Sequence, residues 1–276
     1  MYYKYDIRNG IIYDWMKFLI PVIIAVIGCL SFNSSIVLSE RYGLLDRNAD
    51  YIDLLLFIFK GEKPFSPLNN DDFKFPFMWL IIQLSLSFII GKYPFSEIYD
   101  NHGAIVLIKG KSRKKWIISK FMWLYAVCII YYFLIYIVTA VFSLCCRYTF
   151  DFVVHTSDSY IYLCSFEEIN GLILIKLLLL PITASIAFSS LQTVIALIFQ
   201  PVYGFVCVLC LCGLSIFTNS IFFLGNCSIL IRNEIFCISD ISTNNGLILL
   251  FAVCVISFII SIIYFDRCDI LHRGDD

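Results

Sequence analysis

Apolar positions in this chain come in long uninterrupted runs, without the helical or alternating spacing of a half-buried surface. No charged residue falls between Lys17 and Glu40, Lys74 and Lys92, Lys120 and Arg147, Lys176 and Arg232, or Asp240 and Asp266. A helix needs about 20 apolar residues to cross the hydrocarbon core of a bilayer. Four of these gaps suit one crossing each. The gap over 177–231 is too long for one helix, and Gln200-Pro201-Val202-Tyr203-Gly204 interrupts it with polar and turn-forming residues. Read as a hairpin, it brings the count to six spans, near 18–38, 75–93, 118–144, 171–199, 203–224 and 246–265.

The expected fold class is an all-α integral membrane protein, with residues 1–276 forming a single transmembrane domain. A soluble helix needs a polar face, which these runs lack. In lipid only helices and closed barrels satisfy their own backbone, and a barrel would show short alternating segments instead. Composition agrees: 60% of residues are hydrophobic and 15% charged, against about half and about a quarter in soluble domains. No cleavable signal peptide is expected, because the first apolar run is long and no small-residue cleavage site follows it.

Lys and Arg decide orientation more than net charge does. With a cytoplasmic N-terminus, the inner segments hold 12 Lys/Arg and 8 Asp/Glu, and the outer segments hold 7 and 13. Lys109, Lys111, Arg113, Lys114 and Lys115 crowd one border. Both termini are therefore expected in the cytoplasm, as six spans require. Before the first span, Ile11, Ile12, Trp15, Met16 and Leu19 share one helical stripe, which predicts an interfacial helix with a Trp anchor. The apolar stretch from Tyr51 to Phe59 is too short to cross. It is expected on the outer surface or against the other spans.

Candidate chemistry is sparse. Gly110-Lys111-Ser112 resembles the end of a phosphate loop, but the glycine required five positions earlier is replaced by Ile105. Nucleotide is therefore expected on another polypeptide. Cys207, Cys210 and Cys212 lie in one span with no His nearby, so small apolar packing is the expected role. A bridge between Cys227 and Cys237 is chemically open on the outer side. His102, His155 and His272 lie in separate loops, so no metal or catalytic cluster is predicted.

Few ionisable groups sit inside the spans, which disfavours an ion-coupled carrier. Lys176, about two turns inside a span, is placed to snorkel outward. Ser185, Ser189, Gln192 and Thr193 form a polar stripe on the fourth span. Two readings stay open for it, helix–helix packing and the lining of a substrate path. Pro94 is expected to close the second span. The loop that follows combines Glu97, an apolar patch including Ile105 and Leu107, and the basic cluster, with Trp116 opening the third span. It reads either as an anchor on anionic lipid or as a docking element for a cytoplasmic partner.

At this loop the chain resembles the six-span permease subunits of ABC-2 type transporters of Gram-positive bacteria. The matching residues are Gly103, the apolar run after it, Lys109, Ser112-Arg113, Trp116, Ser119-Lys120 and Trp123. Relatives often carry Arg where Lys109 stands. Two further matches are Leu224-Gly225-Asn226-Cys227-Ser228 with Ile231-Arg232-Asn233, and the tail from Tyr264 to Leu271. The resemblance implies an N-terminal surface helix at 11–17, a coupling helix within 95–116 and a re-entrant outer segment within 221–243. It further implies a second permease, the same or homologous, and a dimer of ATPase subunits that bind ATP and Mg. Glu97, Gly103, Ile105, Leu107, Lys109, Ser112, Arg113 and Trp116 would then couple to the ATPase. The setting is the bacterial cytoplasmic membrane and its lipid, and the substrate a peptide, antibiotic or lipid-like molecule moved outward. No cofactor on this chain, no enzymatic activity of its own and no nucleic acid are expected. The alternatives are an ion-coupled secondary carrier, a polytopic membrane enzyme, and an immunity or sensing module on the same permease fold.

Overall fold

The uncharged runs fold into helices. The computed structural model describes residues 2–42, 49–65, 73–99, 112–150, 171–236 and 241–267, with the backbone alone for Lys92 and for 95–99. In chain order the α-helices are α1 (Tyr2–Ile7), α2 (Leu19–Arg41), α3 (Tyr51–Phe59), α4 (Phe77–Tyr99), α5 (Arg113–Cys145), α6 (Gly171–Ile198), α7 (Pro201–Phe217), α8 (Leu224–Ser228) and α9 (Thr243–Arg267). The described residues form no strand, only isolated bridges such as that between Asp50 and Thr149. Among the described residues four helices are long and apolar enough to cross a membrane: α2 with the 3-10 turn before it (Trp15–Arg41), α5, α6 and α9. The chain is thus a multi-pass membrane protein. Two further apolar helices are shorter, Phe77–Gly91 within α4, and α7.

α6 lies at the centre and packs against α4, α5, α7 and α9. Its Leu177, Ala184, Ala187, Phe188 and Leu197 are buried, whereas Leu172, Ile175 and Leu179 face outward. Large apolar side chains are also exposed on α2, α5 and α9, including Ile23, Phe133 and Phe251. A water-facing protein would hide them; on spans they contact lipid at no cost.

Several boundaries differ from the sequence reading. Pro94 does not close its helix, because α4 continues to Tyr99 with Pro94 inside. Proline removes one backbone N–H, and here the ladder resumes beyond it. α7 stops at Phe217, seven residues before the expected end at 224, and Thr218 takes an extended conformation. Residues 11–17 do not form one regular helix. A π-turn over Arg8–Ile12 closes with the Tyr13 N–H on Arg8 O at 3.0 Å, and a 3-10 turn follows over Trp15–Phe18. The predicted stripe nevertheless faces outward at Ile12, Trp15, Met16 and Leu19.

The short apolar stretch rests on the other helices. α3 buries Ile52, Leu54, Leu55, Leu56, Ile58 and Phe59. Its N-terminus carries a capping box, with the Asp50 and Asp53 side chains and backbone amides paired reciprocally. Residues 224–233 are buried without exception, although they form only α8 and a 3-10 turn at Leu230–Arg232.

Candidate functional site

Three polar assemblies interrupt the apolar interior. The first joins the N-terminal segment to the start of α5. Asp6 and Lys120 form an ion pair of 2.7 Å, with side chains 3% and 2% exposed. Ser119 Oγ also donates to Asp6, and the Tyr93 hydroxyl donates to Asp6 Oδ1 at 3.2 Å. The Lys120 ammonium lies over the rings of Tyr93 and Trp116, 4.7 and 5.2 Å from their centroids. Aromatic faces stabilise a desolvated cation through their quadrupole. Gly10 seats the N-terminal segment here, because a Cβ would meet the indole nitrogen of Trp123 and come within 2.8 Å of the Tyr93 ring. Asp6 and Gly10 stand four residues apart, a spacing that places both on one helical face, and both are buried.

The basic border sits one turn further out. Ser112 N-caps α5, accepting from the Lys115 N–H at 3.4 Å. Arg113 donates to the Asp266 carbonyl at 3.3 Å, and Lys114 lies 3.5 Å from the Asp266 carboxylate. Trp116 is 1% exposed and stacks on Phe265 with centroids 4.7 Å apart. Tyr264 donates to Ile198 O at 3.4 Å. The N-terminal segment, the start of α5, the end of α6 and the end of α9 therefore meet at one end of the bundle. Of the predicted coupling residues, Ser112, Arg113 and Trp116 lie at this end. Gly103, Ile105, Leu107 and Lys109, and the side chain of Glu97, lie outside the described residues.

The predicted polar stripe forms the second assembly. Ser185, Ser189, Gln192 and Thr193 are each at most 3% exposed. Ser185 Oγ donates to Gln83 Oε1 at 2.8 Å and lies 2.6 Å from the Tyr132 hydroxyl. Gln192 pairs with Ser87 twice, accepting from its hydroxyl at 2.7 Å and donating to its carbonyl at 3.0 Å. Thr193 donates to Ser189 O within α6, and Ser189 meets the Cys128 thiol at 3.8 Å. Near Pro181, whose ring and missing N–H disturb the helical ladder, Tyr136 donates to Leu178 O at 3.0 Å and Tyr132 lies 3.0 Å from Pro181 O. Through these bonds the stripe joins α4, α5 and α6.

At the opposite end, Arg232 forms the third assembly. Its guanidinium donates to Ser215 O, Ile216 O and Thr218 O, at the C-terminal carbonyl end of α7, and to Asn226 Oδ1 and Glu62 O. Burial lowers its pKa to about 10, so it stays protonated at neutral pH. The neighbouring 60–62 segment feels the same desolvation. Lys60 is lowered chiefly by burial, and Glu62 is raised by it. Trp79 Nε1 donates to Ser228 Oγ at 2.8 Å, and Gly225 gives room for Ser215 and Trp79.

Sequence reasoning missed the first assembly altogether. Asp6 and Lys120 are 114 positions apart, and both counted as loop charges. Lys176 donates to Asn244 Oδ1 at 3.0 Å, at the start of α9. Cys207, Cys210 and Cys212 differ in exposure along α7, and the described residues contain no group of His, Cys, Asp or Glu able to hold a metal. Cys227 is a free buried thiol, and Cys237 lies outside the described residues.

No curated protein and no solved structure matches this chain. Residues 19–271 match a family described as a protein of unknown function (DUF2705). That match takes in every long helix and all three polar assemblies apart from Asp6 and Gly10, and the chain belongs to the DUF2705 family.

Proposed function

We propose that the chain is the membrane-spanning permease subunit of an ABC transporter, an exporter driven by a separate ATPase subunit in the bacterial cell membrane. In this reading α4 and α7 complete six spans, and both termini are cytoplasmic. α4 is about 34 Å long at 1.5 Å per residue, and its apolar part, Phe77–Gly91, accounts for about 22 Å of that. α7 is about 25 Å long, at the short limit. The buried 224–233 segment would then re-enter from the outer face and fill the depth that α7 leaves.

The observation that carries the reading is the buried tie between Asp6 and Lys120 at the start of α5. α5 begins directly after the 95–112 segment, where the sequence resembles a coupling helix. A displacement of that segment would reach α5 at once, and through Lys120 and Trp116 it would reach the N-terminal segment and α9. A loop serving only as a lipid anchor has no need of such rigid connections. Docking residues on the loop and its border, Glu97, Ile105, Leu107, Lys109 and Arg113, would engage the ATPase. ATP and Mg would stay on that partner, and a second permease would complete the path.

The test is to co-express the chain with the products of its neighbouring genes and to see whether a Walker-motif ATPase co-purifies. Arg113→Glu, or Ile105→Asp with Leu107→Asp, should leave the spans inserted but release the ATPase. Truncating a partner of a buried interface charge costs about 2–5 kcal/mol, enough to lose the complex on a column. Variants that retain the ATPase and its stimulated hydrolysis would reject the coupling assignment.

A further inference from the structure

An apolar groove of about 440 Å³ runs between α5, α6 and α9. On α5 it extends from Ile118 to Ile129, and on α9 from Phe258 back to Leu250. Eleven residues of helix span about 16 Å, close to half the roughly 30 Å hydrocarbon core. The groove is therefore one leaflet deep. Its rim is open to the lipid side, with Met122 49%, Phe251 71% and Val255 39% exposed.

Few polar groups line it, and they are turned inward. Thr183 donates to Leu179 O and Leu180 O of its own helix. Tyr125 and Cys254 engage Ser190. The occupant is thus expected to be hydrocarbon. Below the groove the chemistry changes. Lys114 and Lys115 stand four and three residues before Ile118, on the same helical face and exposed. Lys114 shares Asp266 with a solvent-exposed geometry that leaves its ammonium accessible.

We propose that this groove is a binding site for an anionic phospholipid, with one acyl chain between α5, α6 and α9 and the phosphate at Lys114 and Lys115. Groove depth, apolar lining and a basic mouth on one helical face match the two halves of a single lipid in the leaflet bordering that end. The inference requires only that the helices cross a bilayer, and it stands apart from the transport reading.

Full-length protein reconstituted in nanodiscs of equal phosphatidylglycerol and phosphatidylcholine is released in a mass spectrometer, and retained lipids are counted. The wild type should retain phosphatidylglycerol in preference. Lys114→Gln and Lys115→Gln should each weaken that preference about fivefold. Met122→Trp or Val255→Trp, which fill the groove from opposite walls, should remove the retained lipid. Phe133→Trp, at an exposed position of α5 outside the groove, should keep it. Equal retention of the two lipids by the wild type overturns the proposal, as does unchanged phosphatidylglycerol retention in both groove-filling variants.

Discussion

Lys120 and Asp6 face each other where water is excluded, so neither charge is solvated by anything but protein. Such a pair gains little over well-packed apolar side chains, yet removing one partner strands the other and costs about 3–5 kcal/mol. Lys120→Met should therefore destabilise the purified protein by about that amount in detergent unfolding. Lys120→Met combined with Asp6→Asn should recover most of it, since the amide oxygen accepts from one of the Ser119 and Tyr93 hydroxyls and the amide NH2 donates to the other. Equal losses in the single and the double variant would show that the pair does not act as a unit. Nothing in the sequence marks these two residues as partners. A charge at a span border reads as a solvated loop residue, and the cancellation becomes visible only when α1 is placed against α5. The serines and Gln192 were more readable, because their spacing already put them on one face. Their partners Gln83 and Ser87 were not, because they lie in a separate helix.

At the scale of elements, α7 shows how a helix end is completed by side chains distant in sequence. The last carbonyls of any helix lack intrahelical donors, and those of α7 end in a buried setting where water cannot replace them. Arg232 supplies the donors from one planar fork. Lysine offers a point charge instead, and methionine offers nothing. Arg232→Met should cost roughly 1–3 kcal/mol through the carbonyls left unpaired. Hydrogen exchange should speed up at the amides of 211–218, and Arg232→Lys should fall between. Unaltered exchange there in Arg232→Met would remove the capping role. The long helices were legible because lipid demands uninterrupted apolar runs. The shorter elements were less so. A proline usually signals a helix boundary, yet Pro94 is accommodated within α4. The sequence leaves 51–59 either on the outer surface or against the other helices, and tertiary packing decides for the helices, as it also buries 224–233.

For the whole molecule, the two ends of the bundle differ in kind. One end gathers Arg113, Lys114, Lys115 and Arg267 around the start of α5 and the end of α9. The other holds the capping box of α3, Glu62 and the buried 224–233 segment. Basic residues resist translocation far more than acidic residues do, so the first end is expected to remain in the cytoplasm. Contacts of α1 with α5 and of α5 with α9 hold both ends of the described chain on that side. An even number of crossings is then expected, as the six-span reading requires. Single cysteines test this in a background where the twelve native cysteines have been replaced. Lys115→Cys reports on the basic end and Lys63→Cys on the other, both at exposed positions. An impermeant maleimide added to intact cells should label position 63 and leave position 115 untouched until the membrane is opened. Labelling of position 115 in intact cells would invert the molecule, and it would remove any cytoplasmic docking role for the segment before α5.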